Sequence, residues 1–289
     1  MLAILQILIV ATLAPLVHGI MKRLRANLQG RPGPSVIQPY RDLAKLWVKE
    51  AMLPRKTSPI ALLAPGIAFG VALTFAAALP LVAQRRVSPV DIIALAFLLA
   101  LGRFASSLAA LDMRSAFTGM AASRDMTFAS LVEPVLLVAL LGAAATGGGP
   151  TLSALVSLPF GMAGALAFAA FFLVVLAETG RIPIDNQETH YELTMIHEGL
   201  GLEYSGWQLA LVQFAGHIKQ LCFLVLATLL LPGGALWAHL LWVAALLIVI
   251  SIVETAFARL RLFEIPQLIA TAFLLSLTSI ALRVFGVLG

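Results

Sequence analysis

The chain has 289 residues, 61% of them hydrophobic and 11% charged, with a mean hydropathy of +0.99 and a formal net charge of +5. A soluble domain carries about 25% charged residues, so the composition excludes a water-soluble fold and points to an integral membrane protein. The single cysteine, Cys222, excludes an internal disulfide, a CxxC pair and an iron–sulfur cluster ligated by this chain alone.

A spanning helix needs about 20 mostly apolar residues. Eight such stretches are legible, at roughly 1–20, 60–83, 89–111, 127–146, 155–177, 208–231, 235–257 and 265–285. They are too long, and too rarely alternate, for barrel strands. The expected fold class is therefore an all-α integral membrane protein of eight transmembrane helices with cytoplasmic amphipathic helices. It forms one membrane domain over 1–289 and has no soluble domain. The first stretch is apolar from its first residue, and its basic residues, Lys22, Arg23 and Arg25, follow it. That order suits a first transmembrane helix with its N-terminus outside and not a cleaved signal peptide. The connections after spans 1, 3, 5 and 7 hold fourteen of the 19 Lys and Arg residues. Arg85 and Arg86 lie on the other side, with Arg283 near the C-terminal end. The positive-inside rule then puts both termini outside and these four connections in the cytoplasm. The pI near 9.8 reflects this topology, and no nucleic-acid partner is expected.

The first basic connection, QGRPGPSVIQPYRDLAKLWVKEAMLPRK, opens as a Gly/Pro-rich turn. It then reads as a short amphipathic helix starting at Pro39, a residue favoured in a first helical turn. Leu43, Leu46, Trp47 and Leu53 share one face, with Asp42, Lys45 and Lys49 off it. Two readings stand: an interfacial helix with snorkelling lysines, or a helix that also walls a cavity or docks a partner.

Between spans 5 and 6 runs ETGRIPIDNQETHYELTMIHEGLGLEYSG, which holds six of the fourteen carboxylates. Pro183 is expected to break the helix that carries Glu178 and Arg181. A new helix is expected from Asp185, with Asp185 as N-cap and Glu188 three residues on. Asp185, Glu188 and Glu192 would share its face. Stacked carboxylates raise one another's pKa and can pass protons near neutral pH; the alternative is a solvated acidic loop paired with Arg181 and neighbouring basic connections. His190 and His197 have no HExxH-like ligand set around them, so no metal site is expected.

Arg103, Glu133 and Lys219 fall inside predicted spans, and Glu178 and Glu254 lie near span ends. A mid-bilayer charge costs at least about 2.5–3.5 kcal/mol on insertion scales. Such residues usually face the protein interior, either as structural pairs (Arg103 with Glu133, for example) or along an ion path. His217 and Lys219 could instead snorkel at the start of span 6.

The segment ETGRIPIDNQETHYEL…EYSG resembles the signature of the complex I subunit 1 family, the membrane subunit that meets the peripheral arm. Glu178, Thr179, Arg181, Pro183, Asp185, Glu188, Glu192, Leu193, Glu203, Tyr204 and Ser205 match it. The first connection, QGRPGPSVIQPYRDLAKLWVKE, is similar to that family's Arg-x-Gly-Pro…Gln-Pro…Lys-Leu…Lys-Glu run. Gly180 stands for the respiratory asparagine, His190 for the middle glutamate, and nine residues separate Leu193 from Glu203, more than in the respiratory pattern. The stretches ELTMIHE and SRD, with Asp125 in place of a glutamate, resemble the branch found in formate hydrogenlyase and hydrogenase-4 type membrane-bound nickel–iron hydrogenases.

The resemblance implies a non-catalytic membrane anchor and coupling subunit in a bacterial or archaeal cytoplasmic (inner) membrane. Its partners would be the hydrogenase large and small (iron–sulfur) subunits on the cytoplasmic face, antiporter-like membrane subunits and the lipid bilayer. The chain itself would bind no cofactor; the nickel–iron (NiFe) centre and iron–sulfur clusters would belong to partner subunits. A hydrogen-evolving complex has no need of a quinone, although the equivalent region of complex I walls a quinone chamber. The residues expected on a proton path are Asp125, Glu133, Glu178, Asp185, Glu188, Glu192 and Glu203. Those expected to dock a partner are Arg31, Gln38, Asp42, Lys49, Arg114, Arg124, Arg181, His190, His197 and Tyr204. The alternatives are the quinone-site subunit of a respiratory NADH:quinone oxidoreductase and a stand-alone secondary transporter. Two similar halves with broken helices would mark the latter, and no clear internal repeat is legible.

Overall fold

The computed structural model describes residues 2–52, 54, 57–79, 90–145, 149–156, 161–185, 195–233 and 235–285. Its long helices are α1 (Leu2–Leu28), α3 (Pro59–Ala78), α4 (Ile92–Asp112), α5 (Ala116–Ala144), α7 (Met162–Glu178), α8 (Gly206–Thr228), α9 (Leu236–Ala256) and α10 (Ile265–Val284). Shorter ones are α2 (Gln38–Val48) and α6 (Leu152–Val156), and a single 3₁₀ turn runs Glu198–Gly201. Seven of the long helices are long and apolar enough to cross a bilayer. The eighth, α7, has 17 residues and rises about 25 Å at 1.5 Å per residue. Against the predicted span at 155–177, α7 starts at Met162, after an extended Gly161; residues 157–160 lie outside the described residues.

Two other boundaries differ from the expected ones. Helix α1 continues eight residues beyond residue 20, to Leu28, so Lys22, Arg23 and Arg25 are helical. Helix α5 begins at Ala116 and not near 127, which makes Arg124 and Asp125 helical. Hydropathy marks only the part of a helix that needs an apolar exterior. These extensions run on because their polar groups find partners inside the protein: Asp125 accepts from Ser107 Oγ at 2.9 Å, and Arg124 donates to the Met195 carbonyl at 3.2 Å.

Sequence chemistry sets the remaining starts. Ser58 Oγ accepts from the Ile60 amide, and Asp91 Oδ1 from the Ile93 amide, each satisfying a first-turn donor that no helical carbonyl can reach. Prolines occupy the first turns of α2, α3 and α10, where a missing N–H costs nothing. The helix ending at Glu178 is stopped by Gly180, not by Pro183. Gly180 has φ +60°, its amide bonds Ala177 O at 3.2 Å, and the Arg181 amide bonds Leu176 O at 2.9 Å. This is a Schellman stop, which favours a residue that tolerates the left-handed region.

Helices α3, α4 and α8 pack together on one flank, and α5, α7 and α10 on the other, with α1 and α9 closing against α8. The main core runs through all of them and includes Phe75, Phe171 and Phe223, each buried. Gly102 lets α4 approach Val71 of α3; a Cβ there would stand 3.1 Å from the valine side chain. Close approach at small residues is the usual packing device of membrane helices.

The two ends of the bundle differ in charge. At one end, which we call the basic end, lie α2 and the described residues of the connections 29–58, 113–115, 179–205 and 257–264. They are tied together: Ser205 Oγ bonds both the amide and the carbonyl of Met52, the Ser58 amide donates to Asp112 at 2.6 Å, and the Leu260 amide donates to Pro183 O at 2.9 Å. At the other end Gln6 Nε2 donates to the carbonyls of Ala76 and Leu79, and a short bridge joins Asp91 to Thr151.

Gly206 starts α8 with φ +55°, and a Cβ on it would come within 2.5 Å of Lys49 O and 2.7 Å of Glu50 O. A Gly206→Ala change is expected to cost about 1–3 kcal/mol, the strain of a left-handed non-glycine residue, plus displacement of the first connection. A lower midpoint of thermal unfolding in detergent, with faster proteolysis around residue 50, would record both.

Candidate functional site

Three linked groups of buried charges lie at the basic end. The first is centred on Glu178, the last residue of α7. Its carboxylate side chain is 2% exposed and meets Arg103 NH2 of α4 at 2.5 Å and Lys219 Nζ of α8 at 2.8 Å. Arg103 also donates to Glu133 of α5 at 3.3 Å. Glu133 is 34% exposed on the bundle's flank, so this row leads from the interior to the outer surface of α5. Lys219 also stands over the Phe223 ring.

The second group starts at Asp125, buried beneath Ser107. The imidazole of His197 lies between two carboxylates, with Nε2 at 3.8 Å from Asp125 Oδ1 and Nδ1 at 3.5 Å from Asp185 Oδ2. Asp185 Oδ2 accepts from the amides of Ile196 and His197, and its Oδ1 meets Arg259 NH2 at 3.2 Å. Asp185 therefore anchors the backbone that leads to Glu198, through amides eleven and twelve residues along the chain. The expected helix from Asp185, with Glu188, His190 and Glu192, lies outside the described residues.

Burial pushes the Asp185 carboxyl up, but the side chain and amide of His197, then the Arg259 guanidinium, outweigh it and hold the group below its ordinary range. A carboxyl lowered by folding contributes stability above its unfolded pKa, and that contribution is lost as pH falls through the folded value. An Asp185→Asn variant is accordingly expected to be less stable at neutral pH by about 1–3 kcal/mol, the worth of bonds to a charged acceptor. Its unfolding midpoint should also fall less steeply on acidification, as a pH series in detergent would record.

The third group surrounds Glu254 of α9, which receives Arg181 NH1 at 3.1 Å and Arg25 NH1 at 3.5 Å. The Schellman stop at Gly180 turns Arg181 back into the bundle, where NH2 also donates to Gln220 Oε1 at 2.7 Å. His18 meets the same glutamine oxygen at 2.9 Å and stacks on His217 at 4.1 Å between ring centroids.

All three groups border one cavity of about 740 Å³. Its wall includes Glu178, Arg103 and Lys219 from the first group, Asp125 and His197 from the second, and Arg181 and His18 from the third. Asp42, Lys45 and Leu46 of α2 and Lys49 just past its end line the cavity, so this helix walls it; Ala68, Val71, Ala72, Phe75 and Leu99 line an apolar recess. A further void of about 10 Å³, room for one water, adjoins Arg103, Asp125 and His197.

The residues expected from the sequence occupy different surroundings. Asp125, Glu133, Glu178 and Asp185 stand in the charge groups, whereas Glu203 is half-buried and apart from the cavity lining. Arg31, Lys49 and Arg114 are exposed at the basic end, and Gln38 is engaged with Asp42 at 2.8 Å. Arg124 is half-buried. Arg181 and Tyr204, expected to dock a partner, are both turned into the chain. Arg181 is 3% exposed and committed to Glu254 and Gln220. Tyr204 is buried and donates to the Ala61 carbonyl at 2.8 Å; burial raises its phenol to about 12. Arg25, Gln220 and the inward role of His197 were missed. Lys219 and Glu254 carried a signal, as charges inside or beside apolar stretches; Arg25 and Gln220 carried none. Among the described residues no three His, Cys, Asp or Glu side chains converge as metal ligands would. Asp125 and Asp185 lie on opposite nitrogens of His197 and cannot chelate with it.

The helical bundle and its charge groups define a class: a multi-pass membrane subunit carrying paired charges from mid-span to one end. More particularly, the chain belongs to the NADH dehydrogenase (NADHdh) family, which it matches over residues 1–284. It is 34% identical to formate hydrogenlyase subunit 4 of Escherichia coli, covering 93% of this chain and 94% of the relative. It is also 34% identical to hydrogenase-4 component C of the same organism (95% and 92% covered). To a subunit of the NADH-quinone oxidoreductase of Geobacillus thermodenitrificans it is 29% identical (74% and 68%). The fold is that of a chain in an archaeal membrane-bound sulfane sulfur reductase, with a TM-score of 0.83 at 19% identity over 96% of this chain and 98% of that one.

Proposed function

We propose that this chain is the membrane anchor and coupling subunit of a complex I-like nickel–iron hydrogenase of the formate hydrogenlyase or hydrogenase-4 type. In this reading the basic end faces the cytoplasm and docks the soluble large and iron–sulfur subunits. The charge groups pass a protonic signal from there toward antiporter-like subunits beside α5. The observation that carries the proposal is the unbroken row Lys219–Glu178–Arg103–Glu133, which joins the cavity to a carboxylate on the bundle's flank. A unit charge arriving about 10 Å from such a row, at an effective dielectric near 20, changes its energy by about 1.7 kcal/mol. That is a little more than the 1.36 kcal/mol of one pKa unit, so a redox event at that distance would shift the proton affinity of the row by about tenfold. The metal centres belong to the partners in this reading, because Cys222, the chain's one thiol, is buried within α8.

The cavity favours a second reading, the quinone-site subunit of an NADH:quinone oxidoreductase: its volume and apolar recess fit an amphipathic ring. Purification in mild detergent through a tag on this chain separates the two. Copurification of a nickel–iron large subunit is the expected result; a quinone-reducing arm would install the second reading, and a chain that moves ions alone would overturn both.

A further inference from the structure

His197 stands out once the charge groups are assembled, because among the described histidines its ring joins two carboxylates that belong to different parts of the fold. Asp125 comes from α5, and Asp185 from the turn after α7. The carboxylates lie on opposite nitrogens of the ring, 3.8 Å and 3.5 Å away. A brace that merely held the two together would sit at hydrogen-bonding distance, about 2.7–3.2 Å, and would need neither nitrogen free. Among the described residues, the buried Nδ1 has no hydrogen-bond partner. The side chain is 25% exposed toward the cavity, and the one-water void touches both the imidazole and Asp125.

The charges around the ring are balanced for a transient proton. Arg259, from the connection before α10, lies beyond Asp185. Arg103, from α4, borders the same void as Asp125. The order in space is Arg103, Asp125, His197, Asp185, Arg259. Two cations and two anions cancel while the imidazole is neutral, and its protonation adds a single positive charge. Other charged neighbours are Glu178 of α7, bound to Arg103, Arg124 of α5, which holds the Met195 carbonyl, and exposed Glu198 next in sequence. A neutral imidazole presents a donor and an acceptor on opposite sides, so a proton can enter at one nitrogen as another leaves from the other.

We propose that His197 is the proton-carrying link between Asp185 and Asp125, connecting the outer connection at the basic end with the buried carboxylate of α5. This rests on the coupling reading above and deepens it. In one step a proton arriving from the basic end is held briefly on Asp185, which as a strong acid gives it up readily: the O–H bond breaks and an N–H bond forms at His197 Nδ1. In the next, the N–H bond at Nε2 breaks and an O–H bond forms on Asp125, directly or through the single water. One proton has then crossed, Asp185 is again a carboxylate, and the ring is neutral with its hydrogen on Nδ1. Rotation of the ring or exchange with cavity water restores the starting tautomer.

The test uses the complex purified through this chain and reconstituted in vesicles. A His197→Gln variant, which keeps polar contacts but cannot carry a proton, is expected to retain subunit composition and partner turnover with a soluble electron carrier. Its proton movement should fall at least tenfold. A His197→Ala variant should regain several-fold of the lost movement on addition of imidazole, and its unrescued rate should lose the pH dependence of the native protein. Wild-type proton movement in His197→Gln, alongside loss in Asp125→Asn and Asp185→Asn, would overturn the link and leave the coupling reading standing. Undiminished movement in all three would overturn the coupling reading itself. Should neither His197 variant assemble, ¹⁵N-histidine spectra of the native complex decide. The chain has only five histidines, and a His197 ring locked in one tautomer and never protonated between about pH 5 and 8 would sink the proposal.

Discussion

Replacing Arg181 by leucine is expected to prevent stable accumulation of the protein. The guanidinium is 3% exposed and bonds Glu254 and Gln220 from within the contact of α1, α8 and α9. Its removal leaves Glu254, itself 4% exposed, facing only Arg25 at 3.5 Å. Removing one partner of a buried ion pair costs about 3–5 kcal/mol, because the survivor stays desolvated without full compensation. That is a large share of the stability of an ordinary domain. Two companion variants give the explanation its edge. Arg181→Lys keeps the charge but replaces a rigid fork with a single ammonium, so it should hold Glu254 or Gln220, not both, and fall between the native protein and Arg181→Leu. Adding Glu254→Gln to Arg181→Leu removes the stranded charge and should recover part of the loss. Quantitative blotting of membranes and the unfolding midpoint in detergent measure both; an Arg181→Leu protein as abundant and stable as the native one would show that the Glu254 group contributes nothing.

Why Arg181 reads as a surface residue in the sequence, and is not one, is a matter of one turn. Hydropathy places it just past an apolar stretch, beside a proline, where a solvent-facing basic residue is the ordinary outcome. The decisive residue is Gly180. Its left-handed conformation reverses the chain within two residues and points Arg181 back along α7. The eight helices were legible because each bilayer-facing helix needs a long apolar run, and the intramembrane ions Arg103, Glu133 and Lys219 because each breaks such a run. Glu178 and Asp185 were legible as members of an acidic segment, but not their partners. The cations that pair with Glu178 come from α4 and α8, and Asp185 draws on Arg259 before α10 besides His197 of its own segment; nothing local specifies the distant partners. His197 illustrates the limit best: seven residues from His190, it suggests a shared helical face, whereas its ring lies between carboxylates supplied by two other stretches of chain.

The Glu178 row allows structural and functional roles to be separated by charge arithmetic. Glu178→Leu leaves Arg103, 11% exposed, with Glu133 at 3.3 Å and Asp125 across the small void, and leaves Lys219 beside the cavity. It should therefore cost about 3–5 kcal/mol, as any half-deleted buried pair does. Arg103→Leu should cost less than Glu178→Leu, because Lys219 still meets Glu178 and Glu133 is exposed enough to be hydrated. In the double variant the closest pair is gone as a unit and its volume is refilled by apolar side chains, an exchange that is often nearly neutral. Lys219, 27% exposed, can turn into cavity water. The double variant is expected to be more stable than Glu178→Leu alone by at least about 1–2 kcal/mol, a coupling within the range of double-mutant cycles for touching residues. Proton movement in vesicles should not return with that stability. If the row were only a structural fastening, repairing the fold would repair the coupled activity with it. A stable double variant that docks its partners but moves no protons is what a conducting row requires, since refilling the space restores packing and leaves nothing there that can hold a charge.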